Sequence, residues 1–270
     1  MTTIDPDERE PGARESRGIQ SIEVGGRLLH ALVHLGRPSP LKELAREADM
    51  TPAKAHPYLV SFGKLGLIEQ HPTTGHYGLG PLALQLGLIS LQQVDPIRLA
   101  SAELPALALA LGQTVGIAIW GNRGPTFVRL EEGPMAVHVN MRHGTVVSVK
   151  GTASGRLFAA FVPREQVLAA LRAEAGKPGL RIDAGFEAEL AQVRAQRFVG
   201  IVDGTIAGVT ALAAPVFDGF GEMVLALTAI GPSATLDVSP DGAAARRLID
   251  CAQALSSRLG ARPLRPPAVA

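Results

Sequence analysis

Apolar residues in the first third of the chain recur at the spacing of amphipathic helices in three consecutive segments. The first segment covers residues 19–36. In the second, Ser39 is the expected N-cap and Pro40 the expected first helical residue. The third, 51–66, opens with a threonine and a proline in the same way, and two strand-like runs follow it at 67–79. Helix, helix, short turn, helix and hairpin are the outline of a winged helix-turn-helix.

The segment after the hairpin, 81–94, predicts a helix that is apolar on nearly every side. Such a helix has to be covered by other apolar surface. Because it lies between two domains, a partner subunit is the natural cover, and we expect the segment to serve in dimerisation.

From residue 95 onward the pattern changes to mixed helices and strands. Strands are expected near 114–120, 126–131, 135–140, 145–149, 198–202, 207–216 and 222–230, and helices near 97–111, 153–161, 164–174, 185–196 and 240–259. Adjacent hairpins in mixed order predict an antiparallel sheet flanked by helices. The fold class is therefore α+β, in two domains.

Composition narrows the classes of function. With 46% hydrophobic and 19% charged residues, the 270-residue chain has an ordinary globular mix. A net charge of +1 excludes a polybasic chromatin-type protein, and 4% aromatic residues disfavour a stacking platform for single-stranded nucleic acid. The single cysteine, Cys251, fits a reducing compartment. Without an apolar signal segment or membrane span, we expect a cytoplasmic protein with no membrane partner.

The polar face of the third helix is the main candidate for a binding surface. Ala53, Lys54, Pro57, Ser61 and Lys64 point away from its apolar stripe. In a helix-turn-helix this face enters the major groove of DNA. The alternative is a solvated face of a three-helix module, since winged helices also serve as protein-contact modules.

Several motifs resemble those of the IclR family of bacterial transcriptional regulators, in the same order along residues 19–260. The matching runs are 21–23, 41–45, 51–56, 66–70, 74–80, 151–156 and 213–218. The resemblance implies a winged helix-turn-helix, a dimerising linker helix and a GAF-like effector domain, assembled as dimers or tetramers. We therefore expect a ligand-responsive repressor whose partners are double-stranded operator DNA, a small organic acid and further copies of itself, with no cofactor and no metal.

The expected organisation of the chain follows from the pattern and the resemblance together. It comprises a disordered tail at 1–18, the winged helix-turn-helix at 19–80, the linker helix at 81–94, the effector-binding domain at 95–260 and a Pro-rich tail at 261–270.

One position of the DNA-binding head departs from the family. The expected DNA-contacting residues are Thr51, Ala53, Lys54, His56, Pro57, Ser61, Lys64 and His76. Where the family usually carries an arginine after the histidine of the recognition helix, this chain has Pro57. Proline cannot donate an amide hydrogen and tends to kink a helix. We favour a locally bent helix whose contacts move to Lys54, Ser61 and the wing over the alternative, a loss of DNA binding.

The expected effector site also departs from the family. An acidic residue, a cysteine and two serines of the family site fall on Ile201, Ala211, Thr228 and Ile230, so a polar set has become largely apolar. Lys150 takes the place of a family histidine just before an expected helix start, an arrangement that suits an anion. A solvated lysine at a strand end is the alternative. The full expected set is Lys150, Gly151, Thr152, Ala153, Ile201, Asp203, Ala211, Thr228 and Ile230, and it predicts an acid with an apolar or aromatic body.

Two other classes of function stay open. An enzyme is disfavoured because Ser154 lacks a Gly-x-Ser-x-Gly elbow and a nearby histidine, while His138 and His143 are isolated. The turn at 218–221 lacks the third glycine of a dinucleotide loop. An enzyme or a protein-interaction module in the second domain, joined to a degenerate DNA-binding head, is thus the alternative to a regulator.

Overall fold

The structure is a computed structural model that describes residues 18–134 and 141–261. It divides into two compact units, with the boundary between Gln93 and Val94. The strand expected at 135–140, His138 and nearly all of both expected tails lie outside the described residues. No helix in the described part is long and apolar enough to cross a membrane.

The first unit is a winged helix-turn-helix followed by one further helix, as the sequence predicts. Its elements are α1 (Gln20–Leu35), α2 (Leu41–Glu47), α3 (Pro52–Lys64), β1 (Ile68–Gln70), β2 (Tyr77–Leu79) and α4 (Pro81–Gln93). Leu28, Leu44, Ala55 and Leu59 are buried at the centre of the three-helix core. The strands β1 and β2 pair antiparallel as the hairpin of the wing.

The start of α2 corrects one expectation. Pro40, and not Ser39, is the N-cap, and no side chain caps this helix. Ser39 is instead fully buried and pairs with Tyr77 of β2, through Ser39 N to Tyr77 O at 3.0 Å and Tyr77 N to Ser39 O at 2.9 Å. The residue before a proline favours an extended backbone. That conformation lets Ser39 form an isolated antiparallel β-bridge with the second strand of the wing.

The second unit is a five-stranded antiparallel sheet between two layers of helices. Its strands are β3 (Thr114–Gly121), β4 (Gly124–Glu131), β5 (Val199–Val202), β6 (Val209–Phe217) and β7 (Met223–Pro232), in the spatial order β4-β3-β7-β6-β5. Its helices are α5 (Pro96–Ser101), α6 (Leu104–Leu111), α7 (Ala153–Phe161), α8 (Arg164–Ala175), α9 (Ala184–Gln196) and α10 (Ala243–Arg258).

Alternation along the strands separates two cores. Ile117, Leu212 and Leu227 belong to the core that contains residues of α5, α6 and α10, whereas Ala213 and Ala226 belong to the core formed with α7, α8 and α9. Small side chains on the second face leave room for α7 to lie close to the sheet.

Two expected elements of this unit differ in the structure. The helix expected over 97–111 is two helices, because Pro105 has no amide for the carbonyl of Ser101 and its ring would clash with that carbonyl. The strand expected over 145–149 is absent from the described part of the chain, where Val146 forms only an isolated bridge with Thr126.

Candidate DNA-binding and effector sites

The predicted DNA-contacting face of α3 is open to solvent. Ala55 and Leu59 are buried beneath it. The exposed residues are Thr51, Ala53, Lys54, His56, Pro57, Ser61 and Lys64. Thr51 is the N-cap, as predicted, and its hydroxyl accepts a hydrogen bond from Lys54 N at 3.3 Å. Cap and buried stripe together fix which side of the helix is presented outward.

Pro57 lies inside α3, and the helix continues past it to Lys64. The proline cannot donate to the carbonyl of Ala53, which is an exposed residue. One turn later the Ser61 hydroxyl donates to the carbonyl of Pro57 at 3.0 Å. The helix therefore keeps its length in spite of the departure from the family.

Hydrogen bonds within the wing order its tip. The ring Nδ1 of His71 accepts from the amides of Thr73 and Thr74, both at 3.3 Å. The side-chain amide of Gln70 donates to the carbonyl of Gly75 at 2.9 Å. His76, the predicted contact in the wing, is half-buried.

No residue of α4 is buried in the described part of the chain. Five of its large apolar side chains are exposed, namely Leu84 at 64%, Leu86 at 52%, Leu88 at 53%, Ile89 at 50% and Leu91 at 55%. A helix of this composition is ordinarily covered.

The second unit contains a cavity of about 620 Å³. Its walls come from the start of α7, from β4 to β7, and from two loops at 141–148 and 204–206. Ligand cavities of drug-sized molecules commonly have 300–1,000 Å³. The volume therefore suits a small organic molecule.

Seven of the nine expected effector residues line this cavity. They are Gly151, Thr152, Ala153, Ile201, Ala211, Thr228 and Ile230. Asp203 does not line it: its carboxylate accepts from Gly208 N at 2.8 Å and from Ser233 Oγ at 2.6 Å, and so holds a turn.

Lys150 also lies outside the cavity lining, contrary to expectation. Its ammonium donates to Asp183 at 2.9 Å and lies 5.0 Å from the centre of the Phe186 ring. Asp183 is the N-cap of α9. The amide of Phe186 and then Lys150 lower the pKa of Asp183, which keeps the carboxylate ionised and the pair intact at neutral pH.

Two features of the cavity were missed from sequence. Arg142, an exposed residue, is the one charged residue among the described residues that line it. Ser154 and Thr228 are each only 1% exposed, and their hydroxyls share a hydrogen bond of 2.8 Å. Ser154 lies in the first turn of α7, two residues after its N-cap Thr152, but the sequence led us to weigh it only as a nucleophile.

The loop at 204–206 is hydrogen-bonded to the segment that precedes α7. The Thr205 hydroxyl donates to the carbonyl of Gly151 at 3.0 Å. A Cβ atom on Gly204 would lie 2.5 Å from the same oxygen, so only glycine fits this approach.

The described residues contain neither a cluster of metal-ligating side chains nor a thiol that is ionised at neutral pH. Residues 18–134 and 141–261 hold no group of three or more histidine, cysteine, aspartate or glutamate side chains placed to bind a metal. Burial, and then the charge of Glu103, raise the pKa of Cys251 to about 11, so its thiol stays protonated at neutral pH.

Comparison with known proteins gives consistent matches over both units. A family model described as the IclR helix-turn-helix domain matches residues 21–72, and one described as bacterial transcriptional regulator IclR C-terminal matches residues 89–257. The glycerol operon regulatory protein of Streptomyces griseus is 31% identical over 252 residues, which are 91% of this chain and 98% of that protein. The repressor AllR of Klebsiella pneumoniae is 21% identical over 262 residues, or 96% of each chain.

A solved structure agrees in fold over nearly the same length. The crystal structure of Pseudomonas aeruginosa HmgR has a TM-score of 0.83 and 37% sequence identity, and the match covers 91% of this chain and 100% of that one. The overall fold of this chain is thus shared with that protein.

Proposed function

Since this chain belongs to the IclR family of ligand-responsive bacterial transcriptional regulators, we propose that it is a repressor. Two copies hold a roughly palindromic operator and release it when a small organic acid enters the cavity of the second unit. The exposed face of α3 is the observation that carries the DNA-binding part of this proposal. Binding to operator DNA is consistent with the expected cytoplasmic location.

The first turn of α3 supports direct contact with bases. Lys54 is exposed there, and the first residues of a recognition helix reach base edges in the major groove. Lys64 is the last residue of the same helix, and we assign it a contact with a phosphate. The continuous α3 supports the interpretation that Pro57 leaves DNA binding in place.

The uncovered α4 supports a homo-oligomer. A second copy of the same apolar helix is a self-complementary cover, as two-fold symmetry requires. One winged helix buries too little surface for tight specific binding, whereas two heads read half-sites at a fixed spacing.

The cavity supports binding in place of catalysis. The described lining residues include no histidine and no carboxylate, so no general base faces a ligand there. Ile201, Ala211 and Ile230 offer apolar walls. The amides of the first turn of α7 add a partial positive charge that favours an acid.

The test is fluorescence anisotropy with labelled DNA from upstream of the gene that encodes the chain. We expect the logarithm of the wild-type affinity to fall linearly with the logarithm of the salt concentration. The Lys54→Ala variant should lose about 1–3 kcal/mol of binding free energy. Lys177→Ala removes another exposed lysine, from the second unit, and serves as the matched control. Equal affinity of wild type and Lys54→Ala would show that this face does not meet DNA.

A further inference from the structure

We propose that His71, at the tip of the wing, is a specificity-determining residue of the DNA-binding head. Its ring donates a hydrogen bond from Nε2 to an acceptor on the floor of the minor groove, and it thereby favours A·T over G·C pairs beside each half-site. This inference rests on the proposed function, because it takes α3 to lie in the major groove. The DNA contacts expected from the sequence did not include His71.

Two main-chain amides fix the hydrogen-bonding state of the His71 ring. Nδ1 accepts from the amides of Thr73 and Thr74, both at 3.3 Å. A neutral imidazole has one donor nitrogen and one acceptor nitrogen. Because Nδ1 is the acceptor, Nε2 carries the hydrogen, and the ring offers a ligand one donor and no further acceptor.

The same two bonds decide where this donor points. Nδ1 and Nε2 lie on different edges of the imidazole ring, so a ring whose Nδ1 caps its own turn directs Nε2 away from that turn. His71 is exposed, and its Nε2 has no hydrogen-bond partner within residues 18–134 and 141–261. Main-chain bonds from His71 N to His76 O and from Gly75 N to His71 O, both 2.8 Å, hold the backbone below the ring. The donor is therefore directed outward from an ordered turn.

The hairpin places His71 over the minor groove. Leu67 N donates to Phe62 O at 3.0 Å, so the chain enters the wing directly from the last turn of α3. The two grooves of a duplex lie side by side, and a hairpin that flanks a helix in the major groove therefore lies over the neighbouring minor groove. Homeodomains likewise reach the minor groove beside their recognition helix, with an N-terminal arm. The minor groove is about 6 Å wide, and a planar ring can enter it edge-on.

The charge of the wing favours a contact with bases over a contact with phosphates. Residues 65–80 include no lysine and no arginine, and the exposed Glu69 is their single charged residue when histidines are neutral. Phosphate contacts draw their strength mainly from lysine and arginine, which release counterions from DNA. The wing lacks this contribution, so its share of binding has to come from neutral hydrogen bonds such as that of His71 Nε2.

The chemistry of the minor groove determines which base pairs this donor favours. A·T and T·A pairs present only the acceptors adenine N3 and thymine O2 there, whereas a G·C pair adds the N2 amino group of guanine, which is a donor. Two donors cannot form a hydrogen bond with each other, so guanine N2 keeps the ring from its acceptor. The narrow minor groove of A-tracts, which attracts histidine, acts in the same direction.

The experiment begins with selection of bound duplexes from a pool of random sequences by wild type, His71→Asn and His143→Asn. It is run at pH 8, above the range in which histidine side chains ordinarily change charge. Asparagine keeps the cap of the wing, because its side-chain oxygen accepts from the amide two residues on, but its shorter side chain withdraws the donor from the groove. His143 is an exposed histidine of the second unit, and its replacement is the matched control.

Anisotropy titrations then compare three duplexes at the flanking position where the pools of wild type and His71→Asn differ. One duplex carries A·T there, one G·C and one inosine paired with cytosine. Inosine is guanine without the N2 amino group, so the third duplex resembles A·T in the minor groove and G·C in the major groove.

We expect wild type and His143→Asn to bind the A·T and inosine duplexes about three- to tenfold more tightly than the G·C duplex, as one net hydrogen bond allows. In His71→Asn the three duplexes should bind alike. Its salt slope should equal that of wild type, because no phosphate contact is lost. The bases selected under α3 should be the same in all three proteins, which checks that each variant is folded.

Three results would overturn the inference. The first is a pool of His71→Asn with the same flanking preference as that of wild type. The second is an inosine duplex that binds wild type as weakly as the G·C duplex, and the third is a reduced salt slope in His71→Asn, which would indicate a phosphate contact. A wild-type protein that selects no sequence at all would contradict the proposed function itself, whereas a specific site without a flanking preference would contradict this inference alone.

Discussion

Replacement of Pro57 by alanine should stabilise the recognition helix. Pro57 is the sixth residue of α3, beyond the first turn, where a missing amide hydrogen leaves a carbonyl without its helical partner. An interior proline costs a helix about 3 kcal/mol relative to alanine. Water can reach the freed carbonyl because Ala53 is exposed, which reduces the cost. The Ser61 bond uses the main-chain oxygen and survives the change. We therefore expect a gain of about 2–3 kcal/mol.

Hydrogen exchange measured by mass spectrometry on peptides from α3 reports this gain locally. Amide exchange through opening of the helix should slow by about 30- to 150-fold in Pro57→Ala, since each 1.4 kcal/mol is a factor of ten. His56→Ala changes the neighbouring exposed position without a proline, and it should alter exchange by less than about threefold. An unchanged exchange rate in Pro57→Ala would mean that the backbone around Pro57 already relieves the clash, and the argument from the missing hydrogen bond would fail.

Three further outcomes follow from the structure. Lys64→Ala should weaken binding to all DNA sequences alike and reduce the salt slope by about 1 in anisotropy titrations, whereas a changed sequence preference would mean a base contact. Cys251 should react with iodoacetamide about 100-fold more slowly at pH 8 than an unperturbed thiol, because burial raises its pKa to about 11 from 9.0; labelling at the ordinary rate would contradict that burial. Gly155→Ala should cost about 1–3 kcal/mol in chemical unfolding, since its Cβ would lie 2.1 Å from the carbonyl oxygen of Ser148, while Gly26→Ala, with nothing within 4 Å, should not destabilise the protein.

Elements that depend on nearby residues could be predicted from the sequence. The start of α3 is one example, because Thr51 and Pro52 act within the first turn of the helix itself. The cavity positions Ile201, Ala211 and Thr228 were also found, since motifs on either side of them fixed the alignment.

Contacts between distant parts of the chain could not be predicted in this way. Lys150 was expected to face a ligand, but Asp183, which lies after two intervening helices, pairs with it. Serine is a residue type that often caps a helix, yet the main-chain amide and carbonyl of Ser39 are both hydrogen-bonded to Tyr77. Arg142 lies in a loop without periodicity, so no pattern connects it with the cavity that it lines.

The β-bridge between Ser39 and Tyr77 bears on the order in which the elements of the first unit fold. A two-stranded hairpin alone is only marginally stable in water. Here its second strand gains two further main-chain bonds, but only from a residue that precedes both α2 and α3. Closure of that long loop is entropically costly until the helices have docked. The wing should therefore complete its structure late, after the recognition helix, and its tip should have φ-values near zero in a kinetic analysis of folding.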